Sequence, residues 1–348
     1  MPYCDHNATA PLRPLSRDAM AHALTITGNP SSVHAHGRAA RAVVEKARDL
    51  VARLVHAKPD QVIFTSGATE ANALALWGAV EGAIDRSETD KSARITRLFV
   101  SAIEHSSVLK TAEALAERVA GVRLERLPVA ANGVLDLEAL RVALREGKGR
   151  ALVAVMAANN ETGVIQPVAE ISRLCREAGA LLLVDAVTAA GKIDLDAGLG
   201  DYMTLSAHKL GGPQGAGALV VGDDAPLAPQ MTGGGQQKGL RAGTENLSGI
   251  AGFGAAVDAI LADAGARARR LGARSFRAHA QSQTTRCRHL RGRRATPGQY
   301  VQCRAAGPDF AEHRDCFGSG WRDGEFRFVL FVRQDRAVAC VVRDGRGR

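Results

Sequence analysis

The sequence of 348 residues has few aromatic side chains and no feature typical of a membrane or disulfide-stabilised protein. Aromatic residues make up 4% of the chain. No run of 18 or more apolar residues occurs, so we expect no membrane-spanning helix. The six cysteines have no regular spacing, which argues against a disulfide framework. The first residues, MPYCDHNATAP, lack a basic segment followed by an apolar one, and we therefore expect a cytoplasmic protein.

Lysine is absent from the last quarter of the chain. Residues 267–348 contain 19 Arg, no Lys and 7 acidic residues, a net charge of +12, whereas residues 1–266 have a net charge of −3. Four of the six cysteines (Cys287, Cys303, Cys316, Cys340) also lie in this last part. The change in composition divides the chain into a region 1–266 and an unusual Arg-rich region 267–348.

Residues 1–266 alternate between short apolar runs and helical patterns, which predicts an α/β domain. The predicted strands are Gln61–Thr65, Leu98–Ser101, Ala151–Met156, Leu181–Val184, Tyr202–Leu205 and Ala216–Val221, and the predicted helices are Ala68–Val80, Ser106–Val119 and Pro167–Ala178. Such alternation favours a mostly parallel sheet that helices cover on both faces. After residue 267 the alternation stops, apart from an apolar run at Phe326–Val332.

Four groups of polar residues follow predicted strands, where open parallel sheets bind their ligands. Gly67, Ala68 and Thr69 open a helix after the run QVIFT, a place where free backbone N–H groups can bind a phosphate. His105 follows LFVSA and could stack on a flat ring and move protons. Taken alone, the first group is an ordinary helix start and the second an ordinary structural histidine.

The other two groups are a carboxylate and a lysine. Asp185 closes the apolar run LLLV, where a buried charge needs a partner such as the protonated ring nitrogen of pyridoxal 5′-phosphate (PLP). A helix cap or a metal ligand is the alternative. Lys209 follows the run YMTL and precedes the glycines at 211 and 212, and it is suited to a Schiff base. The alternative is a surface lysine, but the agreement of all four groups in place and order favours a cofactor site.

Eight segments of the sequence resemble NifS-type cysteine desulfurases, which belong to the class V group of PLP-dependent fold type I enzymes. These segments are DHNATAPLRP, GNPSSVHAHGRAAR, TSGATEAN, EHSSVL, ANNETGVIQP, VDAVTAAGK, SAHKLGGPQGAGAL and GGGQQKGLRAGTEN. The resemblance covers about residues 3–266. It implies a PLP-binding large domain at 1–266, with the aberrant tail at 267–348 in place of a small C-terminal domain.

The resemblance implies the residues that surround the ring of PLP. Lys209 would hold the cofactor covalently, and Asp185 would pair with the ring nitrogen. His105 would stack on the ring and transfer protons, so that Lys209 and His105 are the implied catalytic residues. Asn160 would lie near the ring hydroxyl and the substrate. Thr188 stands where the family often has a longer Gln that bonds the ring hydroxyl.

The resemblance also implies the residues that bind the phosphate. Thr69, Ser206 and His208 would contact it through their side chains, and Ala68 would contact it through its backbone. Thr244 would reach the phosphate of a partner subunit, which implies a homodimer. No metal site is implied in the chain. The implied reaction converts L-cysteine to L-alanine and passes sulfur as a persulfide to an iron–sulfur scaffold or another acceptor.

Two segments that a desulfurase needs are missing from the tail. One is the loop like SSGSACSSGK that carries the nucleophilic Cys, and the other is a run like RFSLGR whose Arg binds the substrate carboxylate. Reading each codon from its second base turns residues 325–334 into S-S-G-S-S-C-S-S-G-K, if suitable codons are used. We interpret the tail as a frame-shifted reading of the small domain, with the shift between about residues 267 and 290. The alternative is a genuine divergent tail whose basic charge binds nucleic acid nonspecifically.

The sequence therefore predicts a cysteine desulfurase that is inactive as written, with weak binding of PLP at best. A class V aminotransferase, a selenocysteine lyase and a non-catalytic PLP-binding protein stay open as alternatives. ANNETG and the recovered CSSGK favour the desulfurase, while the missing nucleophile favours the non-catalytic protein.

Overall fold

The computed structural model describes residues 5–87, 91–270, 300–304, 327–333 and 336–342. Its helices are α1 (Pro14–Leu24), α2 (Ala35–Leu54), α3 (Ala68–Ser87), α4 (Ser106–Arg118), α5 (Leu137–Arg145), α6 (Val168–Glu177) and α7 (Leu247–Arg270). Its strands are β1 (Val62–Thr65), β2 (Ile95–Ser101), β3 (Arg123–Leu127), β4 (Arg150–Met156), β5 (Leu181–Asp185), β6 (Tyr202–Ser206), β7 (Gly217–Val221), β8 (Tyr300–Arg304), β9 (Arg327–Arg333) and β10 (Arg336–Val342). Short 3-10 helices lie at Pro59–Gln61, Lys91–Ala93, Ala197–Leu199, Ala207–Lys209 and Gln236–Gly239.

Seven strands form one mixed sheet in the order β1-β7-β6-β5-β4-β2-β3. Strands β3, β2, β4, β5 and β6 pair in parallel, and β7 is antiparallel to both of its neighbours, β6 and β1. Only β7 is therefore reversed. The carboxyl ends of the six other strands, together with the start of β7, lie at the same edge of the sheet.

Helices cover both faces of this sheet, because the central strands are apolar on both sides. Val153 and Val155 of β4 pack in one core with α2, α5, α6 and α7, whereas Leu152 and Ala154 pack in a second core with α3 and α4. Strand β5 alternates in the same way. A buried aliphatic side chain contributes about 1.5–3 kcal/mol, so these two cores hold the strand ends firmly in place.

Two of the helices that flank the sheet, α5 and α6, begin at residues that favour a helix start. Asp136 caps α5, since its Oδ1 accepts from the backbone N–H groups of Glu138 and Ala139, each at 3.0 Å. Pro167 precedes α6, where its missing N–H costs nothing. The chain leaves α6 through Gly179, whose φ of +64° suits glycine.

The α/β fold with a mostly parallel sheet, predicted from the alternation, is confirmed. All six predicted strands and all three predicted helices of residues 1–266 are present, with ends that differ by a few residues and with α3 extending to Ser87. Helices α1, α2, α5 and α7 and strand β3 were not predicted from the sequence. Strand β3 has the residues RLERL, whose mostly exposed side chains give no apolar signal.

The chain divides into two compact units, one formed by Asn7–Arg270 and the other by Met1–His6 with Leu271–Arg348. The first contains the seven-stranded sheet, and α7 continues to its end. The described part of the second is an antiparallel three-stranded sheet in the order β10-β9-β8. Strand β9 matches the predicted apolar run at Phe326–Val332, and β8 and β10 were not predicted. No helix in the described residues is long and apolar enough to cross a membrane.

Candidate functional site

The candidate residues meet at the edge of the sheet where the parallel strands end. Asp185 is the last residue of β5, and Ser206 is the last residue of β6. Asp185 lies in register with Met156 of β4 on one side and with Thr204 of β6 on the other. Ligands of open α/β sheets bind at such an edge.

Asp185 is a buried carboxylate with two hydrogen-bond donors. Its Oδ2 accepts from Nδ2 of Asn72 at 2.9 Å, and its Oδ1 accepts from the backbone N–H of Val187 at 3.0 Å. Burial raises the pKa of Asp185 above its ordinary value, while both hydrogen bonds and the charges of His105 and Lys209 act in the opposite direction. A buried carboxylate in this position is stabilised by any further cation beside it.

Asn72 connects Asp185 to two hydroxyl groups. It lies in α3 and is fully buried. Its Nδ2 also donates to Oγ of Ser107 at 2.9 Å, and its Oδ1 accepts from Oγ1 of Thr204 at 2.9 Å. The sequence reading missed Asn72, although an amide among the apolar side chains of α3 was a signal for a buried polar network.

His105 is the N-cap of α4, which fixes its ring. Its Nδ1 accepts from the backbone N–H of Ser107 at 3.1 Å and lies 2.8 Å from Oγ of the same residue. Because Nδ1 is an acceptor, the proton of the neutral ring is on Nε2. The strand end and the cap together place a donor nitrogen at a defined orientation.

The turn before α3 has the geometry of an anion-binding helix start. Oγ1 of Thr65 donates to the carbonyl of Gly67 at 3.0 Å, and the backbone N–H of Ser66 donates to Oε2 of Glu70 at 2.7 Å. Arg241 holds Glu70 through Nε at 2.7 Å and Nη2 at 3.1 Å. The first N–H groups of an α-helix, here at Ala68 and Thr69, have no acceptor within the helix.

Lys209 ends the 3-10 helix that follows β6 and is half-buried. Its Nζ donates to the backbone carbonyl of Asn7, and its charge reaches Asp185. Beside it, Nδ1 of His208 lies 3.1 Å from Oγ1 of Thr9. Burial, and secondarily the charge of Lys209, lowers the pKa of His208. The segment near the N-terminus therefore packs on the lysine.

Asn7 brings a further lysine and a loop to the same place. Its Oδ1 accepts from Nζ of Lys192 at 3.3 Å, and its Nδ2 donates to the backbone carbonyl of Asn160 at 3.0 Å. Burial, followed by the charge of Lys209, lowers the pKa of Lys192. The sequence reading named Asn160 and Lys209 but gave no role to Asn7 or Lys192.

Three predicted residues lie in loops, outside the hydrogen-bond network described around Asp185. The side chain of Asn160 donates to Oε1 of Glu161 at 2.6 Å, so it belongs to its own loop in this structure. Thr188 is half-buried in the turn after Asp185. Thr244 is exposed in the segment before α7, and its contact with a partner subunit stays a prediction.

Glu104 is a second buried carboxyl group beside Asp185. Its Oε1 accepts from the backbone N–H of Met156 at 2.7 Å, and its Oε2 has no hydrogen-bond partner in the described chain. Burial, and next the charge of Asp185, raises the pKa of Glu104 well above its ordinary value. Its surroundings therefore favour the protonated form of Glu104. The sequence reading quoted it only as part of EHSSVL.

These residues fit PLP. An amine at Lys209, a buried acceptor at Asp185 and an oriented imidazole at His105 match the aldehyde, the ring nitrogen and the flat face of that cofactor. The start of α3 suits its phosphate. No group of three or more His, Cys, Asp or Glu side chains in the described residues could hold a metal ion.

Comparison with known proteins identifies the family. The aminotransferase class-V family model matches residues 2–297. The chain belongs to the aminotransferase class-V family. Its members are PLP-dependent enzymes, and the resemblance to cysteine desulfurases seen in the sequence is confirmed by the relatives.

The relatives are cysteine desulfurases and NifS-like proteins. The IscS-like cysteine desulfurase of Mycobacterium tuberculosis is 40% identical over 258 residues, which are 74% of this chain and 64% of that protein. The X-ray structure of a NifS-like protein from Rickettsia africae has a TM-score of 0.67 and 32% identity, with 76% of this chain and 69% of that chain covered. The structure of SspA in complex with cysteine has a TM-score of 0.68 and 32% identity, with coverage of 74% and 72%. The chain thus spans less than two thirds of the Mycobacterium relative.

The predicted loss of the nucleophile loop and of the substrate-binding Arg concerns residues 267–348. The frame-shift hypothesis and the side chains of Cys287, Cys303, Cys316 and Cys340 lie outside the residues whose side chains are described. Cys175 is described and lies buried in α6, where burial raises the pKa of its thiol to about 12. Such a thiol is not a nucleophile at neutral pH.

Proposed function

We propose that the chain binds PLP through Lys209 and that its family reaction is the desulfuration of L-cysteine to L-alanine. The observation that carries the proposal is the buried Asp185, held by Asn72 and Val187 and within electrostatic reach of Lys209 and His105. A carboxylate in this setting favours a protonated ring nitrogen beside it. PLP, when bound, supplies an electron sink for charge that develops on the substrate.

The chain's own residues would divide the remaining work. Lys209 would hold the cofactor and then accept and return a proton at Nζ. His105 would stack on the ring and offer the proton on Nε2, since its Nδ1 is occupied by Ser107. Asn160 and Thr188 would lie beside the ring hydroxyl, with Thr188 the shorter substitute for a Gln.

The phosphate would be bound by residues from two strand ends. The backbone of Ala68 and the hydroxyl of Thr69 would bind it from the start of α3, and Ser206 and His208 would bind it from the end of β6. We further propose a homodimer in which the exposed Thr244 reaches the phosphate of the partner subunit. Sedimentation should then give twice the mass of the chain, and a monomer that binds PLP fully would contradict the dimer.

Sulfur transfer requires a nucleophilic cysteine, and Cys175 is unsuitable because it is buried and its pKa is raised to about 12. Because the sequence also lacks the nucleophile loop expected from the resemblance, we propose that the chain as written does not release sulfur from cysteine. Restoring the frame between codons 267 and 290 should return the loop, the activity and solubility together. The product would be a persulfide that an iron–sulfur scaffold or another acceptor takes up.

Covalent labelling at Lys209 tests the cofactor site. Purified chain with excess PLP should show a visible absorbance band, and reduction with borohydride should leave the label on the peptide that contains Lys209. Lys209→Ala should abolish both signals. Lys192→Ala is the matched control, because this neighbouring lysine also contacts Asn7, and its label should persist. A label that remains in Lys209→Ala would place the cofactor on another lysine.

Product analysis separates the alternative functions. Incubation of the frame-corrected chain with cysteine and an added thiol reductant should yield alanine and sulfide, because the reductant supplies the two electrons that release the persulfide sulfur as sulfide. Conversion of cysteine to mercaptopyruvate, with amination of an added oxo acid and no loss of sulfur, would indicate an aminotransferase, and turnover restricted to selenocysteine would indicate a selenocysteine lyase. Stoichiometric PLP binding with none of these products would support the non-catalytic protein.

A further inference from the structure

Asn72 is hydrogen-bonded to Asp185 directly and is connected to His105 through Ser107. We propose that Asn72 is a positioning residue that holds Asp185 and His105 in a fixed relation to each other, a role that rests on the proposed PLP site. In the described chain, the hydrogen-bonded connection between the carboxylate and the cap of α4 runs through this one amide.

All hydrogen-bonding groups of the Asn72 amide are used. One Nδ2 hydrogen goes to Oδ2 of Asp185 and the other to Oγ of Ser107, each over 2.9 Å, and Oδ1 accepts from Thr204 over 2.9 Å. Asn72 and Thr204 are both fully buried, so no solvent competes for these bonds. A complete buried network of this kind fixes the side chains in it.

The orientation of the amide depends on Asp185. A carboxylate only accepts hydrogen bonds, so the amide must present its NH₂ group to Asp185 and its oxygen to Thr204. The reversed amide would set Oδ1 of Asn72 against a carboxylate oxygen, which is repulsive and leaves two buried groups unpaired. The amide therefore favours the ionised form of Asp185, in opposition to its burial.

The second hydrogen of the amide sets the direction of the bonds to His105. Because Oγ of Ser107 accepts from Asn72, the hydroxyl hydrogen is available to donate to Nδ1 of His105 at 2.8 Å. The backbone N–H of Ser107 donates to the same nitrogen. Two donors at Nδ1 keep the proton on Nε2, the nitrogen that faces away from the cap.

Asn72 also connects these groups to the turn before α3, where the phosphate of PLP would bind. It lies one turn into α3, the helix whose first residues are Ala68 and Thr69. A shift of α3 therefore moves the amide, while a shift of Asp185 or α4 pulls on α3. The polar residues of the site come from α3, β5, β6 and α4. Asn72 itself lies in α3 and hydrogen-bonds to one residue in each of β5, β6 and α4.

The test uses the full chain with PLP as the probe. In Asn72→Asp the shape is kept, but two carboxylates come within about 3 Å and cannot both be ionised. We expect its dissociation constant for PLP to rise by about tenfold or more, since hydrogen bonds to charged groups are the stronger ones. The pH at which the visible band changes should also shift, because the ionisation of Asp185 is altered. Glu104, His105 and Lys209 are the other titratable groups that face Asp185, and they are unchanged in this variant.

Ser107→Ala tests the connection from Asn72 through the Ser107 hydroxyl to His105. We expect an increase of about threefold in the dissociation constant for PLP, and no further increase when Ser107→Ala is added to Asn72→Ala. Ser172→Ala is the matched control, since it removes a buried hydroxyl that donates to the backbone carbonyl of Leu199, at the opposite end of the strands. This control should bind PLP like the parent. Nitrogen NMR of the imidazole in the chain without PLP should show Nε2 protonated in the parent, and in Ser107→Ala the Nδ1 resonance should shift, because only the backbone N–H of residue 107 still donates to Nδ1.

The outcomes separate this inference from the proposed function. If the parent is labelled at Lys209 but Asn72→Asp and Ser107→Ala match the Ser172→Ala control in affinity and in pH profile, Asn72 is merely structural and the inference is wrong. If the parent is not labelled at Lys209, the PLP site and the inference both fail. If Asn72→Asp does not fold, Thr204→Val provides the milder test, because it frees the amide oxygen only and should give a smaller shift of the same pH profile; no shift would refute the inference.

Discussion

Gly217 packs against the turn before α3, where the phosphate of PLP would bind. Replacing Gly217 should therefore lower both the stability of the chain and its affinity for PLP. It is the first residue of β7, in register with Thr65 of β1. A Cβ atom at Gly217 would lie 2.7 Å from Cα and C of Gly67 and 2.9 Å from the carbonyl oxygen of Leu205. These neighbours are backbone atoms of the two flanking strand ends, so they cannot move away as a flexible side chain would.

We expect Gly217→Ala to destabilise the chain by about 1–3 kcal/mol, the usual cost of forcing an extra methyl group into a packed site. For a domain of this size that corresponds to a fall in melting temperature of roughly 2–4 °C for each kcal/mol. The displaced atoms belong to the turn that precedes Ala68, so affinity for PLP should fall as well. Thermal unfolding and a PLP titration measure the two effects.

Gly222→Ala is the matched control at the other end of the same strand. The nearest atom to its added Cβ would be the carbonyl oxygen of Asp201 at 3.4 Å, an ordinary contact. We expect little change in stability or a small gain, because alanine restricts the unfolded chain, and no change in PLP affinity. If Gly217→Ala and Gly222→Ala behave alike in both assays, the close approach of β7 to Gly67 is not a determinant of the site.

Three further changes test other parts of the structure. Asp185→Asn should leave PLP content nearly unchanged but lower the turnover of the frame-corrected enzyme about a hundredfold or more, and unchanged turnover would remove Asp185 from the site. Glu104→Gln should reduce the loss of stability that accompanies a rise in pH. Burial raises the pKa of Glu104 in the folded chain. The stability that protonated Glu104 contributes is therefore complete below its unfolded-state pKa and is lost as pH rises through its folded-state pKa. Melting temperatures of parent and variant, compared from the ordinary pKa of a Glu side chain upward, measure this, and parallel curves would contradict a raised pKa of Glu104. Asp136→Ala should cost about 1 kcal/mol through loss of the α5 cap without effect on PLP binding.

The sequence predicted the strands that are buried on both faces and missed β3, whose side chains are mostly exposed. Strands β4 and β5 are continuous apolar runs, since both of their faces are covered. Strand β3, with Arg, Glu and Arg among its five residues, lies at the end of the sheet and has little apolar surface to signal it. Its partner β2 decides its conformation, and pairing between distant segments is not visible in a local pattern.

The candidate site was predictable where several polar residues follow apolar runs and agree in place and order. Asp185, His105 and Lys209 were found in that way, and the fold brings their strand ends to one edge. Asn72 and Glu104 were not found, because an Asn within a helix and a Glu before a helix are common on protein surfaces. The burial of both side chains in three dimensions separates them from that ordinary case.

The two halves of the proposed reaction make different demands on the chain. Binding and orienting PLP requires groups fixed to rigid strand ends, and Asn7–Arg270 contains them in one compact unit with its own two cores. Sulfur transfer requires a cysteine that can move towards the substrate and then away from it, which suits a loop outside that unit. Loss of such a loop leaves the contacts of Asp185 and His105 intact, because every partner named for them lies between Asn72 and Lys209. Covalent labelling at Lys209 without desulfuration is therefore the result that the structure favours for the chain as written, and restoration of the frame should add the second half to the first.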